Sequence, residues 1–70
     1  MTQEQYHDKL NELEKEISKE YGFPESIADL IVGKADIDKH AYCYEEVETE
    51  AYELASFAQD IINFYKESKQ

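Results

Sequence analysis

The stretch from Asp36 to Lys66 carries a heptad pattern of apolar and small residues, and no other feature of the chain constrains its fold as strongly. Its two interleaved series are Ile37, Tyr44, Ala51, Ala58 and Tyr65, and Val47, Leu54 and Ile61. A sustained repeat of this kind predicts one long amphipathic helix, here over about residues 37–66 and roughly 45 Å long. The rest of the chain, or a second copy, must then pack along that helix.

The apolar stripe of this predicted helix widens toward its C-terminal end. Cys43, Glu48 and Glu50 flank the first half, whereas Ala55 and large apolar residues flank the second. We therefore expect the C-terminal half to be the most enclosed part of the molecule or of an assembly. The predicted core and self-association residues are Tyr44, Val47, Ala51, Leu54, Phe57, Ala58, Ile61, Ile62, Phe64 and Tyr65.

Two shorter helices are predicted before the long one. Thr2 and Gln5 have the spacing of a capping box, and an apolar stripe follows, so the first helix should cover about residues 3–21 and end at Gly22. A second helix is expected over about residues 24–32, with either Pro24 in its first turn or Ser26 as N-cap and Asp29 three residues on, and with Gly33 at its end. The sequence thus predicts a single all-α domain over residues 1–70, either a helical hairpin or a three-helix unit.

Chain length and composition favour self-association. A 70-residue chain buries only about 60% of the surface that its unfolded form exposes. The narrow stripes of the two shorter helices cannot cover Tyr52, Phe57, Ile62 and Phe64. We therefore expect exposed apolar surface on a lone chain, and a homo-oligomer, with a dimer favoured.

The charge balance narrows the classes of partner. The chain has 17 acidic residues against 7 basic ones and a formal net charge of −10, which disfavours direct binding to nucleic acid or to an anionic membrane. No apolar run approaches the roughly 20 residues that span a bilayer, and the polar segment Met1–Asp8 predicts no signal peptide. A single cysteine favours a cytoplasmic location.

Few residues have a spacing that indicates chemistry. Glu4 and His7 share the E-x-x-H spacing of di-iron bundle ligands. The long helix has E-x-x-E spacings that resemble the metal-binding helix of the all-α nucleotide pyrophosphohydrolases, but Phe57 stands where the second acidic pair of that family requires glutamate. We expect no enzyme activity, no cofactor and no metal, and a metal-dependent helical enzyme is a remote alternative.

The strongest functional signal is a row of carboxylates, called here the acidic ridge. It comprises Glu45, Glu46, Glu48, Glu50, Glu53 and Asp60. No basic residue occurs between His40 and Lys66, and Tyr42 and Tyr52 flank the ridge as candidate anchors. In size, charge and tyrosine content the chain resembles small acidic phage and mobile-element proteins that block nucleases or DNA-binding proteins.

These patterns lead to three functional hypotheses. The resemblance implies an inhibitor or modulator that mimics DNA and binds a basic surface, for instance on a nucleic-acid-binding protein. A second hypothesis is a structural or adaptor subunit that oligomerises through the apolar C-terminal helix. The simplest interpretation is a solvated face with no binding role.

Overall fold

A computed structural model of the chain describes residues 2–39 and 43–68. Within those two ranges it contains three helices and no strand: α1 (Gln3–Tyr21), α2 (Glu25–Asp38) and α3 (Tyr44–Ser68). The predicted all-α, three-helix architecture is confirmed. The molecule is elongated and measures 48 × 19 × 14 Å along its principal axes.

Local sequence signals set both ends of α1, as predicted. The Thr2 hydroxyl accepts a hydrogen bond from the Gln5 backbone N–H at 3.1 Å, and the Gln5 side-chain oxygen accepts one from the Thr2 N–H at 3.0 Å. Gly22 ends the helix in the left-handed conformation, with φ of 71°. The Ser18 hydroxyl donates to the Phe23 carbonyl at 2.6 Å, and Phe23 is buried. The chain is thereby turned directly into α2.

The boundary between α2 and α3 corrects the prediction. Gly33 does not end the second helix, because α2 continues through it to Asp38, and α3 begins at Tyr44 instead of residue 37. Glycine inside a helix costs about 1 kcal/mol, and burial of Val32 and Ala35 against the other helices outweighs that cost. Ile37 therefore belongs to α2, where it is 75% exposed, and does not begin the long heptad seam.

Contacts between the helices define an up-down-up arrangement. Tyr6, near the start of α1, donates its hydroxyl hydrogen bond to Asp36, near the end of α2, so these helices are antiparallel. Tyr52 Oη donates to Glu16 Oε2 at 3.3 Å, and Tyr44 at the start of α3 lies against the first half of α1. Helices α1 and α3 are therefore parallel, and α2 runs antiparallel to both.

The core occupies only the N-terminal half of α3. The buried apolar residues are Leu10, Leu13, Ile17, Phe23, Ala28, Ile31, Val32, Ala35, Val47, Ala51 and Ala55. Alanines on both α2 and α3 let these two helices approach closely. The C-terminal half of α3 was expected to be the most enclosed part of the molecule or of an assembly, but within the chain it is the least enclosed.

The C-terminal half of α3 projects beyond the three-helix body. Glu16 of α1 lies level with Tyr52 of α3, so α1 ends at about the level of Phe57. The part of α3 after Phe57 extends past that level by roughly 15 Å. Two different surfaces result, an acidic one around the body and an apolar one along the projecting helix.

Candidate protein-binding surfaces

Four of the six acidic-ridge residues lie on the exposed outer face of α3. These are Glu45, Glu46, Glu53 and Asp60. The last three are seven residues apart, so they form a line with spacings of about 10.5 Å. This line lies on the side of the helix opposite the buried Val47. The structure therefore keeps these carboxylates together and accessible.

The other two ridge residues lie on opposite flanks of α3. Glu50 is half buried on the α2 side, where its carboxylate lies 3.7 Å from Lys39 Nζ. Glu48 is half buried on the α1 side, beside Tyr44. The ridge is therefore narrower than the sequence predicted, and Lys39 partly offsets one of its charges.

A shallow depression beside the N-terminal half of α3 is lined by four of the six acidic-ridge residues. Its lining consists of Lys39, Glu45, Glu46, Thr49, Glu50 and Glu53, together with Cys43. The Cys43 thiol is free and exposed at the start of the helix. Tyr42, predicted as an anchor, lies outside the described residues, as does His40.

A second acidic surface lies between α1 and α3 and was not predicted. This acidic groove is lined by Lys9, Glu12, Leu13, Glu16, Tyr44 and Glu48, and Tyr52 reaches it through its hydrogen bond to Glu16. The only local signal is a row of glutamates four residues apart on α1, which continues to Glu20. That row shows a shared helical face. It does not show which helix the face meets.

Carboxylates and burial hold the groove tyrosines in their protonated form. Burial, and secondarily the neighbouring Glu48, raises the pKa of Tyr44 to about 12. The pKa of Tyr52 is likewise raised to about 12, first by burial and then by Glu20 and Glu16. Lys9 Nζ lies 5.0 Å from the centre of the Tyr44 ring, within cation–π distance. The groove thus combines hydrogen-bond donors, aromatic faces and negative charge.

Carboxylates also crowd the contact between α1 and α2. Burial raises the pKa of Glu14 above its ordinary value, and the nearby Asp29 and Glu25 carboxylates raise it further. Negative charge is therefore concentrated along both sides of α1 as well as on α3.

The projecting part of α3 carries an apolar patch, defined here as Phe57, Ile61, Phe64 and Tyr65. Phe57 is 65% exposed and Phe64 is 72% exposed. The neighbouring Leu54, Ala58 and Ile62 are partly buried against the core. The exposed apolar surface expected from the sequence is therefore present at Phe57 and Phe64, on the projecting end of α3. Tyr52 and Ile62, also expected to be uncovered, are instead partly buried against the core.

The residues considered for metal chemistry do not meet in the structure. Glu4 and His7 are exposed near the start of α1. Over the described ranges, no three histidine, cysteine, aspartate or glutamate side chains are grouped closely enough to share an ion.

Comparison with protein-family models, curated proteins and solved structures found no significant match to this chain. In the part of the chain that the structure describes, no helix combines the length and apolar character required to cross a membrane. The two acidic surfaces and the apolar patch are the features of this chain that indicate a function.

Proposed function

We propose that this chain is a non-catalytic protein-binding module that presents the acidic ridge to a basic surface of a protein partner. The observation that carries the proposal is the exposed line of Glu46, Glu53 and Asp60. No basic residue interrupts the sequence between His40 and Lys66. Like charges at this density destabilise a helix, and interspersed lysines would serve solubility better. A binding role accounts for the uninterrupted negative charge.

The linear arrangement of the carboxylates favours a partner that normally binds nucleic acid. The four exposed ridge residues, Glu45, Glu46, Glu53 and Asp60, extend over roughly 22 Å of helix, about one charge per 6 Å. Phosphates along one DNA strand are about 3.4 Å apart, so the ridge has roughly half the charge density of one strand. When a groove lined with lysine and arginine binds either ligand, the cations held by the negative charges of that ligand are released. We therefore infer an inhibitor or modulator that competes with nucleic acid, acting in the cytoplasm, where its single thiol stays reduced.

The acidic groove extends this surface onto a second helix. Glu48 and Tyr52 lie between the α1 glutamates and the outer face of α3. Tyrosine supplies an aromatic face and a hydroxyl with little loss of conformational entropy on binding, as protein interfaces favour. Tyr44 and Tyr52 would then anchor arginine side chains of the partner beside the ridge.

Displacement from DNA tests the proposal. DNA-binding proteins from the native host would be retained on immobilised duplex DNA, and the chain would be added at about 0.1 M NaCl. We expect at least one basic protein to be displaced and to bind the chain directly. Its affinity should fall steeply with salt, with a log–log slope that Glu46→Gln, Glu53→Gln and Asp60→Asn together reduce by about two.

A matched control removes three charges elsewhere. Glu4, Asp8 and Glu25 are exposed and lie outside the ridge. Their amide variants should leave the affinity within about threefold of the original, whereas the ridge variant should weaken it at least tenfold. If no protein is displaced, or if both triple variants bind equally well, the ridge is only a solvated face.

The apolar patch favours a second candidate function. Four large side chains with exposures above one half lie together at the free end of α3. Apolar patches of this size are often interaction sites. A structural or adaptor subunit that assembles through this patch is the alternative, and Phe57→Ser with Phe64→Ser would abolish assembly while ridge variants would not.

A further inference from the structure

The apolar patch lies on the flank of α3 that faces α2. Glu50 marks this flank, because its carboxylate reaches Lys39 at the end of α2. Phe57 and Phe64 follow Glu50 at seven-residue intervals, so all three side chains lie along one line of the helix. Because α2 is antiparallel to α3, the first residues of α2 lie toward the same end as the patch.

One exposed apolar residue of α2 lies near this surface. Ile27, in the first turn of α2, is 37% exposed. It lies on the flank of α2 away from Asp29 and Asp36, which face α1, and so borders the α2 side of α3. Leu30 is 67% exposed but lies on the outer face of α2, nearly opposite the buried Ala28, and is not part of this surface.

The distribution of charge indicates what kind of molecule fits the patch. Residues 44–53 of α3 include five glutamates, whereas residues 54–65 include a single charged residue, Asp60. A chain with net charge −10 repels its own copies nearly everywhere, and this is the place where that repulsion is weakest. A basic partner would instead be attracted to the ridge.

The size of the surface suits a dimer. The four patch residues leave about 500 Å² of apolar area uncovered, since side chains of this kind present roughly 150–250 Å² each when fully accessible. With Ile27 included, two copies would bury about 1,100 Å², above the roughly 1,000 Å² that a specific interface should exceed.

The order of side chains selects the direction of pairing. If two α3 helices cross antiparallel with Ile61 on the two-fold axis, Phe64 of each copy lies opposite Ala58 of the other, and Phe57 lies opposite Tyr65. This register sets one large side chain against a small one, Phe64 against Ala58, and two aromatic rings together, Phe57 and Tyr65. Parallel pairing would place Phe64 against Phe64 and Ala58 against Ala58.

The distribution of charge and the helix dipoles also favour antiparallel pairing of the two α3 helices. Antiparallel pairing sends the glutamate-rich halves of the two α3 helices to opposite ends of the assembly, whereas parallel pairing sets them side by side. Opposed helix dipoles also attract. The projecting end of each α3 then runs back along the α2 flank of its partner toward Ile27.

We propose that a second copy of this chain covers the apolar patch, forming an antiparallel two-fold dimer centred on Ile61. This dimer rests on the second candidate function, because it uses the same apolar patch as its interface. It does not depend on the acidic ridge. Each dimer exposes two ridges, one on each three-helix body.

Sedimentation equilibrium and disulfide trapping test this dimer. The chain should sediment as a dimer at micromolar concentration, and Phe57→Ser with Phe64→Ser should weaken dimerisation at least a hundredfold while leaving the helical circular dichroism unchanged. Ile37→Ser is the matched control, since Ile37 is 75% exposed near the far end of α2, and it should dimerise normally. A chain that stays monomeric up to about 1 mM overturns the proposal.

Disulfide trapping decides the direction of pairing. In a Cys43→Ser background, oxidation should cross-link the Ile61→Cys variant to itself, because only a residue at the axis of an antiparallel pair meets its own copy. Phe57→Cys and Phe64→Cys should not form homodimers, but Phe57→Cys mixed with Tyr65→Cys should cross-link. Efficient cross-linking of Phe57→Cys or Phe64→Cys to itself would show parallel pairing and refute the proposed geometry.

The Phe57→Ser, Phe64→Ser chain also distinguishes the dimer from the proposed function of the ridge. If this chain still binds a basic protein, partner binding does not require the dimer.

Discussion

The phenol groups of Tyr44 and Tyr52 lie among carboxylates where α1 meets α3, and their ionisation would add negative charge to that contact. Both have a pKa of about 12 in the folded chain, against an ordinary value of 10. Between these pH values the folded chain holds more protons than the unfolded chain, so the free energy of unfolding decreases as pH rises. The stabilising contribution is complete below pH 10 and is lost as pH rises through about 12.

Replacing Tyr52 by phenylalanine should make the fold less sensitive to alkali. We expect the Tyr52→Phe chain to lose less stability than the original between pH 8 and pH 11, as measured by urea unfolding at each pH. At pH 8 the loss of the hydrogen bond to Glu16 should cost about 0.5–1 kcal/mol.

The control for this prediction is Ser56→Ala, which removes an exposed hydroxyl from α3 and leaves every phenol in place. It should show the same decrease between pH 8 and pH 11 as the original chain. An unchanged pH dependence in the Tyr52→Phe chain would mean that the acidic groove does not control its stability.

At the scale of single helices, local signals predicted α1 but not the junction of α2 and α3. A capping box and a left-handed glycine act within one turn, so Thr2, Gln5 and Gly22 sufficed to place both ends of α1. Gly33 carried the same local signal for a stop, yet the helix continues because Ala35 is buried in contact with other helices. Such a contribution depends on residues distant in sequence and cannot be read from local pattern.

The two glycines provide a matched test of this difference. A methyl group on Gly33 would meet nothing within 4 Å, and the residue is helical, so Gly33→Ala should raise the free energy of unfolding by about 0.5–1 kcal/mol. Gly22→Ala should lower it by about 1 kcal/mol, because φ of 71° is strained for alanine even though space is free. Chemical denaturation of both variants would measure the two shifts. A destabilising Gly33→Ala would mean that α2 breaks at that residue.

The candidate surfaces were predictable to different degrees for the same reason. The line of Glu46, Glu53 and Asp60 lies on one helix and followed from the heptad spacing alone. The acidic groove requires α1 and α3 to lie parallel, with Glu16 meeting Tyr52 across 36 positions of sequence. The spacing of residues within each helix contained no information about that pairing.

At the scale of the whole molecule, crowded carboxylates oppose folding on both flanks of α1. Glu14 faces Asp29 and Glu25 on α2, and Glu16 and Glu48 approach each other on the α3 side. The pKa of Glu14 is raised, so its protonation stabilises the fold: the contribution is full below its unfolded pKa and is lost as pH rises through its folded pKa. Mild acid and added salt should therefore both stabilise this protein.

Salt should raise the melting temperature of the chain at neutral pH. Between about 0.01 M and 0.15 M NaCl the screening length falls from roughly 30 Å to 8 Å, which weakens repulsion among the acids around α1. Relief of several like-charge pairs at about 0.2–0.5 kcal/mol each predicts an increase in Tm of roughly 5 °C.

Because salt would also favour dimerisation, the scan should be repeated on the Phe57→Ser, Phe64→Ser chain. Near pH 4.4, the isoelectric point, the same change in salt should leave Tm almost unchanged. A Tm that does not change with salt at pH 7, or that changes equally at both pH values, would show that the carboxylates are too well solvated to oppose folding. Carboxylates solvated to that degree would also attract a basic partner only weakly.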